Sequence, residues 1–296
     1  MAERIRSGRT RGGLRRKMAP LAAFVALADA GLCTVLARVD ALVGDVGNIS
    51  DGRDGPDRRH RPDSPDPGDM EAIHALRVAV RHLRAVAWAF QPVVADAVRA
   101  RWKSVLRDTA DACGETRDWD VFVAETLAPA LEREPAHPVL LALIDAARTR
   151  RAAAHDVMMT KLSRDMRPRL GTLEDDVRRL VRTLRKTTSA TRKRRDKAMR
   201  LDAFAQRRVR KARRHVRALA RTARDGQTEH VHRLRIGNKR LRYAIEALAD
   251  VLPRRLRKRL HKKLVRRQTA LGTVVDDAVA RRLLCECLTD LRKYGP

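Results

Sequence analysis

The chain has 296 residues, 44% hydrophobic and 34% charged, with 66 Lys and Arg against 36 Asp and Glu and a formal net charge of +30. That length and apolar content suffice for a substantial core and exclude a disordered chain, while the charge far exceeds what solubility requires and calls for an anionic partner. Aromatic residues make up only 3%, which argues against a base-stacking platform for single-stranded nucleic acid; Cys33, Cys113, Cys285 and Cys287 are too few and too scattered for a disulfide framework or a zinc site.

Residues 1–17 read as a basic, flexible Gly/Arg tail. The segment MAPLAAFVALADAGLCTVLA then follows Arg15, Arg16 and Lys17 in the manner of a secretory signal, but Asp29 interrupts it and its uncharged runs are too short for a bilayer. An amphipathic core helix over about 19–43 is the expectation. Residues 44–69 are rich in Gly, Pro and Asp and predict a disordered loop. Helical periodicity resumes over about 69–91, 93–113, 118–133, 138–165 and 171–187. Beyond the basic run Arg192-Lys193-Arg194-Arg195 it returns near 198–224, 229–250, 254–271 and 274–292. No stretch sustains a period of two, so the fold class predicted is all-α.

One helix stands apart. In EHVHRLRIGNKRLRYAIEAL, residues 229–248, His232, Arg235, Lys239 and Arg242 fall within an arc of roughly 80°, beside the apolar stripe of Leu234, Leu241, Ile245 and Leu248. Glu246 is the one acid near this strip. The pattern recurs without a gap in IHALRVAVRHLRAVAWAF at 73–90, at an offset of 158 residues, the separation of His74 from His232. Arg77 then meets Arg235, Arg81 meets Lys239, and Arg84 meets Arg242; the same offset pairs Gly114 with Gly272 and Asp118 with Asp276. PLAAF at 20–24 matches RLDAF at 200–204, with an offset longer by the 22 residues of a loop inserted in the first copy. Shared apolar positions alone would mean a duplicated core, whereas shared cations mean a duplicated site. Genome-wide arginine bias would scatter charges without registering them.

A helix bearing His-x-x-Arg-x-x-x-Arg-x-x-Arg, repeated as His-x-x-Arg-x-x-x-Lys-x-x-Arg-Tyr, with Gly-x-x-x-Asp after each copy, resembles the CHAD family, the conserved histidine α-helical domains. The resemblance spans about 18–294, with one repeat over about 18–190 and a second over about 197–294. It implies two pseudo-symmetric helical bundles facing a shared basic channel or groove, and binding of inorganic polyphosphate. Carried over residue by residue, the site comprises His74, Arg77, Arg81 and Arg84 with His232, Arg235, Lys239 and Arg242. Lys103, Arg107, Lys262 and Arg266 on the following helices join them, although they do not align at the common offset. Ala85 stands where the second copy has Tyr243, and Trp88 where it has Glu246, so the halves need not contribute equally.

The chemistry suits such a ligand. Polyphosphate is a flexible chain with about one negative charge per phosphoryl unit, and it asks for a row of cations without base pockets. Arginine offers a planar fork to non-bridging oxygens, lysine a point charge, and histidine a donor whose charge grows beside an anion. The bland alternatives are a hydrogen-bonded core histidine at His74 and His232, and a salt bridge to Glu246 at Arg242. Asp118 and Asp276 read as N-caps of the fourth helices rather than catalytic acids. Arg117 is within reach of the site, but its counterpart is Val275.

Three functional classes follow. The first is a non-catalytic, cytoplasmic polyphosphate-binding module at polyphosphate granules, needing no cofactor. The second is a nucleic-acid binder, favoured by the tail, the 192–195 run and the total charge, but lacking aromatics and any groove-reading motif. The third is an enzyme of polyphosphate metabolism. Against that stand the lack of a P-loop, of paired metal carboxylates and of the Glu-x-Glu-x-Lys motif of CYTH partners, since Glu132-Arg-Glu134 leads into Pro135 and Ala136.

Overall fold

Among the described residues the chain forms ten α-helices and no strand, in keeping with the all-α class expected from its periodicity. They are α1 (Pro20–Gly47), α2 (Pro67–Ala89), α3 (Asp96–Ala112), α4 (Gly114–Phe122), α5 (Ala128–Arg133), α6 (Pro138–Thr160), α7 (Arg167–Ala190), α8 (Leu201–Thr222), α9 (Thr228–Ala247) and α10 (Arg254–Tyr294). The structure, a computed structural model, describes residues 13–47, 67–190 and 199–294, without the side chains of 45–47, 67, 187–190, 261–263, 265–277 and 294. Most of the 1–17 tail, most of the 44–69 loop, the 192–195 run and the side chains of Lys262 and Arg266 therefore lie outside the described residues.

Several boundaries differ from those the sequence predicts. The stretches expected at 138–165 and 171–187 form one continuous helix, because a π-helical turn at Lys161–Met166 joins α6 to α7. A second π turn, Val123–Leu127, joins α4 to α5, so that the stretch expected helical over 118–133 is indeed continuous. Pro129 and Pro168 each stand two residues past such a turn. The wider turn shifts the hydrogen-bond register where a proline supplies no donor, so the helix continues. α10 likewise runs unbroken through the gap expected at 272–273. Asp118 and Asp276 are consequently not N-caps: Asp118 lies inside α4, whose N-cap position is Cys113, and Asp276 lies inside α10.

The described residues group into two compact units, one of residues 1–33, 82–104 and 171–272, the other of residues 34–81, 105–170 and 273–296. The first has an aromatic centre, with Phe24 at 5.9 Å from Phe90 and 5.6 Å from Trp102, and Phe90 stacked on Phe204 at 5.3 Å. Full burial of each such side chain contributes about 1.5–3 kcal/mol. Buried Asp176 on α7 ties α3 in place, accepting twice from Arg101 at 2.8 Å and once from Trp102 Nε1 at 3.2 Å. α8 and α9 approach so closely that a Cβ on Gly237 would lie 2.8 Å from Leu219 Cδ1. The leading N–H groups of α8 have no intrahelical acceptor, and two find one upstream: Leu201 donates to the carbonyl of Met18 at 3.0 Å and Asp202 to that of Arg16 at 3.2 Å.

The second unit packs Trp119, Phe122, Leu127, Leu143, Ile144, Ala147, Leu283 and Cys287 together, joining α4, α6 and α10. Arg150 on α6 forks onto Asp290 on α10 at 2.6 and 2.7 Å. α1 is long and apolar enough over Pro20–Gly44 to cross a bilayer by composition, yet Ala23, Phe24, Ala28, Leu32, Val35 and Val39 are buried inside the protein. Its apolar spacing is that of the core helix expected from the sequence.

Candidate polyanion-binding site

Within the second unit, α2 places His74, Arg77 and Arg81 on one face by their three- and four-residue spacing. Arg77 is partly buried, and its Nη1 donates to the carbonyl oxygen of Cys113 at 2.8 Å, at the junction of α3 and α4. That carbonyl lies at the negative end of α3, where a cation is favoured. Burial lowers the Arg77 pKa and Asp118 opposes the shift, so the guanidinium keeps its charge near neutrality.

His74 is half-buried beside these cations. Burial first, then the charge of Arg117, with smaller effects from Arg81 and Arg77, holds its imidazole below the ordinary value, against a contrary pull from Glu71. Arg117, on α4, thus stands in the same electrostatic neighbourhood as the α2 row. The repeat could not assign it, because Val275 occupies the matching position. Its Nη1 lies 3.9 Å from Asp120 Oδ2.

A partly buried ion network supports this end of α2. Asp120 accepts from Arg151 Nε at 3.0 Å; Arg151 Nη2 lies 3.5 Å from Asp69, and His155 Nε2 lies 3.0 Å from the same carboxylate. The His155 contact, before any other, holds the Asp69 carboxyl below its usual range. Asp69 sits in the first turn of α2, where a carboxylate also meets the positive end of the helix. Arg107, on α3, is exposed and pairs with neighbouring Asp108 at 3.3 Å.

In the first unit, α9 carries His232, exposed, and Arg235, Lys239 and Arg242, each partly buried. Arg242 is held in place: Nη2 donates to the Tyr243 hydroxyl at 2.6 Å, Nε lies 3.7 Å from Glu246, and the guanidinium lies 4.6 Å from the Tyr243 ring centroid. The ion pair with Glu246 foreseen as an alternative for Arg242 is therefore formed. Buried Tyr243 also receives the edge of His82 from α2 at 4.9 Å. Arg84 on α2 and Lys103 on α3 are exposed in this unit. The first copy lacks that arrangement, for Ala85 replaces the tyrosine and Trp88 packs against Arg208 at 4.9 Å. Lys262 and Arg266 belong to α10, and their side chains lie outside the described residues.

Among the described residues no three His, Cys, Asp or Glu side chains gather as a metal site. Cys113 and Cys287 are buried thiols, each pushed up to about 11 chiefly by burial, which leaves them poor nucleophiles. What the site offers chemically is fixed positive charge and many N–H donors, suited to phosphoryl oxygens.

The crystal structure of the CHAD domain from the plant Ricinus communis is similar over 96% of this chain and 90% of that one, with a TM-score of 0.66 at 20% identity, a likeness of fold. No curated protein is significantly similar in sequence. A family model, that of the CHAD domain, matches residues 58–285, which include both histidine-arginine helices. On that match the chain belongs to the CHAD family.

Proposed function

We infer that this protein binds inorganic polyphosphate without transforming it, through His74, Arg77, Arg81 and Arg84 on α2 and His232, Arg235, Lys239 and Arg242 on α9. The observation that carries this function is the crowding of Arg77, Arg81 and Arg117 around half-buried His74, whose protonation their charges oppose. Like charges held together cost free energy in the empty protein, and a polyanion threaded among them turns that cost into attraction. Arg117 joins the row on this account, and no side chain is given a catalytic role. The same binding would bring the protein to polyphosphate granules in the cytoplasm, where long chains are concentrated.

Calorimetric titration with long-chain polyphosphate, pyrophosphate and orthophosphate tests the function. Two cation rows engage many phosphoryl units at once, so affinity should rise steeply with chain length and fall with salt. Equal affinity per phosphate for orthophosphate and long chains would refute it.

A further inference from the structure

α8 carries a second cationic surface, separate from the histidine-arginine rows. Arg207, Arg210, Arg214, Arg217 and Arg221 recur at intervals of three and four residues and fall within an arc of roughly 80°. All five are exposed, and they lie opposite the buried stripe of Leu201, Phe204, Ala205, Val209, Ala212 and Val216. Lys211 borders the row. The row extends over about 21 Å at the helical rise.

An ordinary solvated face would balance such arginines. Elsewhere in this protein exposed helical arginines do find acids, as Arg233 does with Glu229, Arg282 with Glu286 and Arg178 with Asp175. No acid occurs between Asp202 and Asp225, and among the described residues none of the five has an acidic partner. The neighbouring start of α10 adds Arg254, Arg255, Lys258 and Arg259, all exposed, with no acid in its first turn. Arg259 and Arg217 both stand near enough to Arg213 for their charges to act on it.

We propose that the exposed face of α8, extended by Arg259 of α10, docks duplex nucleic acid by its phosphate backbone, without reading bases. A straight, convex row of arginines fits a stiff partner with regularly spaced charge, and each guanidinium can fork onto a phosphate. A flexible polyphosphate chain gains less there, because all the cations lie on one side of it. The row has no exposed aromatic on which single strands could stack, since Phe204 is buried. Nor does it carry an exposed large apolar side chain to enter a bilayer.

Fluorescence anisotropy of a labelled duplex of two helical turns, titrated with the full chain at several salt concentrations, tests the proposal. In a variant with Arg207, Arg210, Arg214, Arg217 and Arg221 replaced by Gln, which keeps helix propensity, duplex affinity should fall on the order of a hundredfold or more. The slope of log affinity against log salt should shrink by about 4.5, about 0.9 for each phosphate no longer neutralised. Long-chain polyphosphate affinity should stay within about threefold, since the substituted residues are not in the α2 and α9 rows. Unchanged duplex affinity and slope would overturn the proposal. So would an equal loss of polyphosphate affinity, which would make α8 part of the polyphosphate site, or a preference for phosphatidylserine vesicles over duplex. If the fivefold variant fails to fold, Arg210→Gln and Arg214→Gln made singly should each lower the slope by about 0.9, and no change in either refutes the docking.

Discussion

Arg77 donates from Nη1 to the carbonyl oxygen of Cys113 across 2.8 Å, so one edge of this guanidinium is fixed in the protein itself. Pre-set orientation lowers the entropic cost of binding, and lysine cannot reproduce the planar fork. Arg77→Lys keeps the charge and should therefore leave the salt slope of polyphosphate binding nearly unchanged. Its affinity should still fall by about tenfold, roughly the value of one charge-assisted hydrogen bond. Calorimetry at several salt concentrations separates the two effects.

On the proposed function, His74 should link binding to pH. Its pKa lies below the ordinary 6.5 in the folded protein, mainly through burial and Arg117. The unfolded chain therefore binds the proton first as pH falls through 6.5, and the contribution of His74 to stability, full above that value, declines below it. A bound polyanion reverses the electrostatics and favours the imidazolium, so polyphosphate should bind with proton uptake and tighten as pH drops from neutral. Titrations in buffers of different ionisation enthalpy should show this uptake, and His74→Gln should reduce it.

The Asp120–Arg151 pair is buried, with Asp120 2% and Arg151 8% exposed. Removing one partner strands a charge, so Asp120→Ala should cost about 3 kcal/mol in urea denaturation, the lower end of the usual range because Asp69 stays near Arg151. Replacing both residues by apolar ones of similar size should cost less than either single change.

The long helices were legible because their apolar spacing is regular, as in α1 with Phe24, Ala28, Leu32, Val35 and Val39. The paired rows were legible because cations recur in register with that spacing. One feature escaped for a physical reason. Pro168 and Gly171 carry the usual marks of a helix end, and only the π turn before Pro168 lets the helix run on. Arg117 was expected within reach of the site, and tertiary contact that no repeat position announces brings it close enough to His74 for its charge to act there.

Polyphosphate affinity in two double variants, Arg77→Ala with Arg81→Ala in one row and Arg235→Ala with Lys239→Ala in the other, tests whether both rows bind the ligand. Each lost charge-assisted contact is worth about 1.5–3 kcal/mol, so either variant should lose at least about a hundredfold, by similar amounts, with a reduced salt slope. Folding should survive, since none of the four side chains is fully buried. Neutralising Arg192-Lys193-Arg194-Arg195, a run without a counterpart in the first copy, should cost little. Normal binding by both double variants, with binding abolished in the 192–195 variant, would contradict the account and leave bulk charge as the determinant.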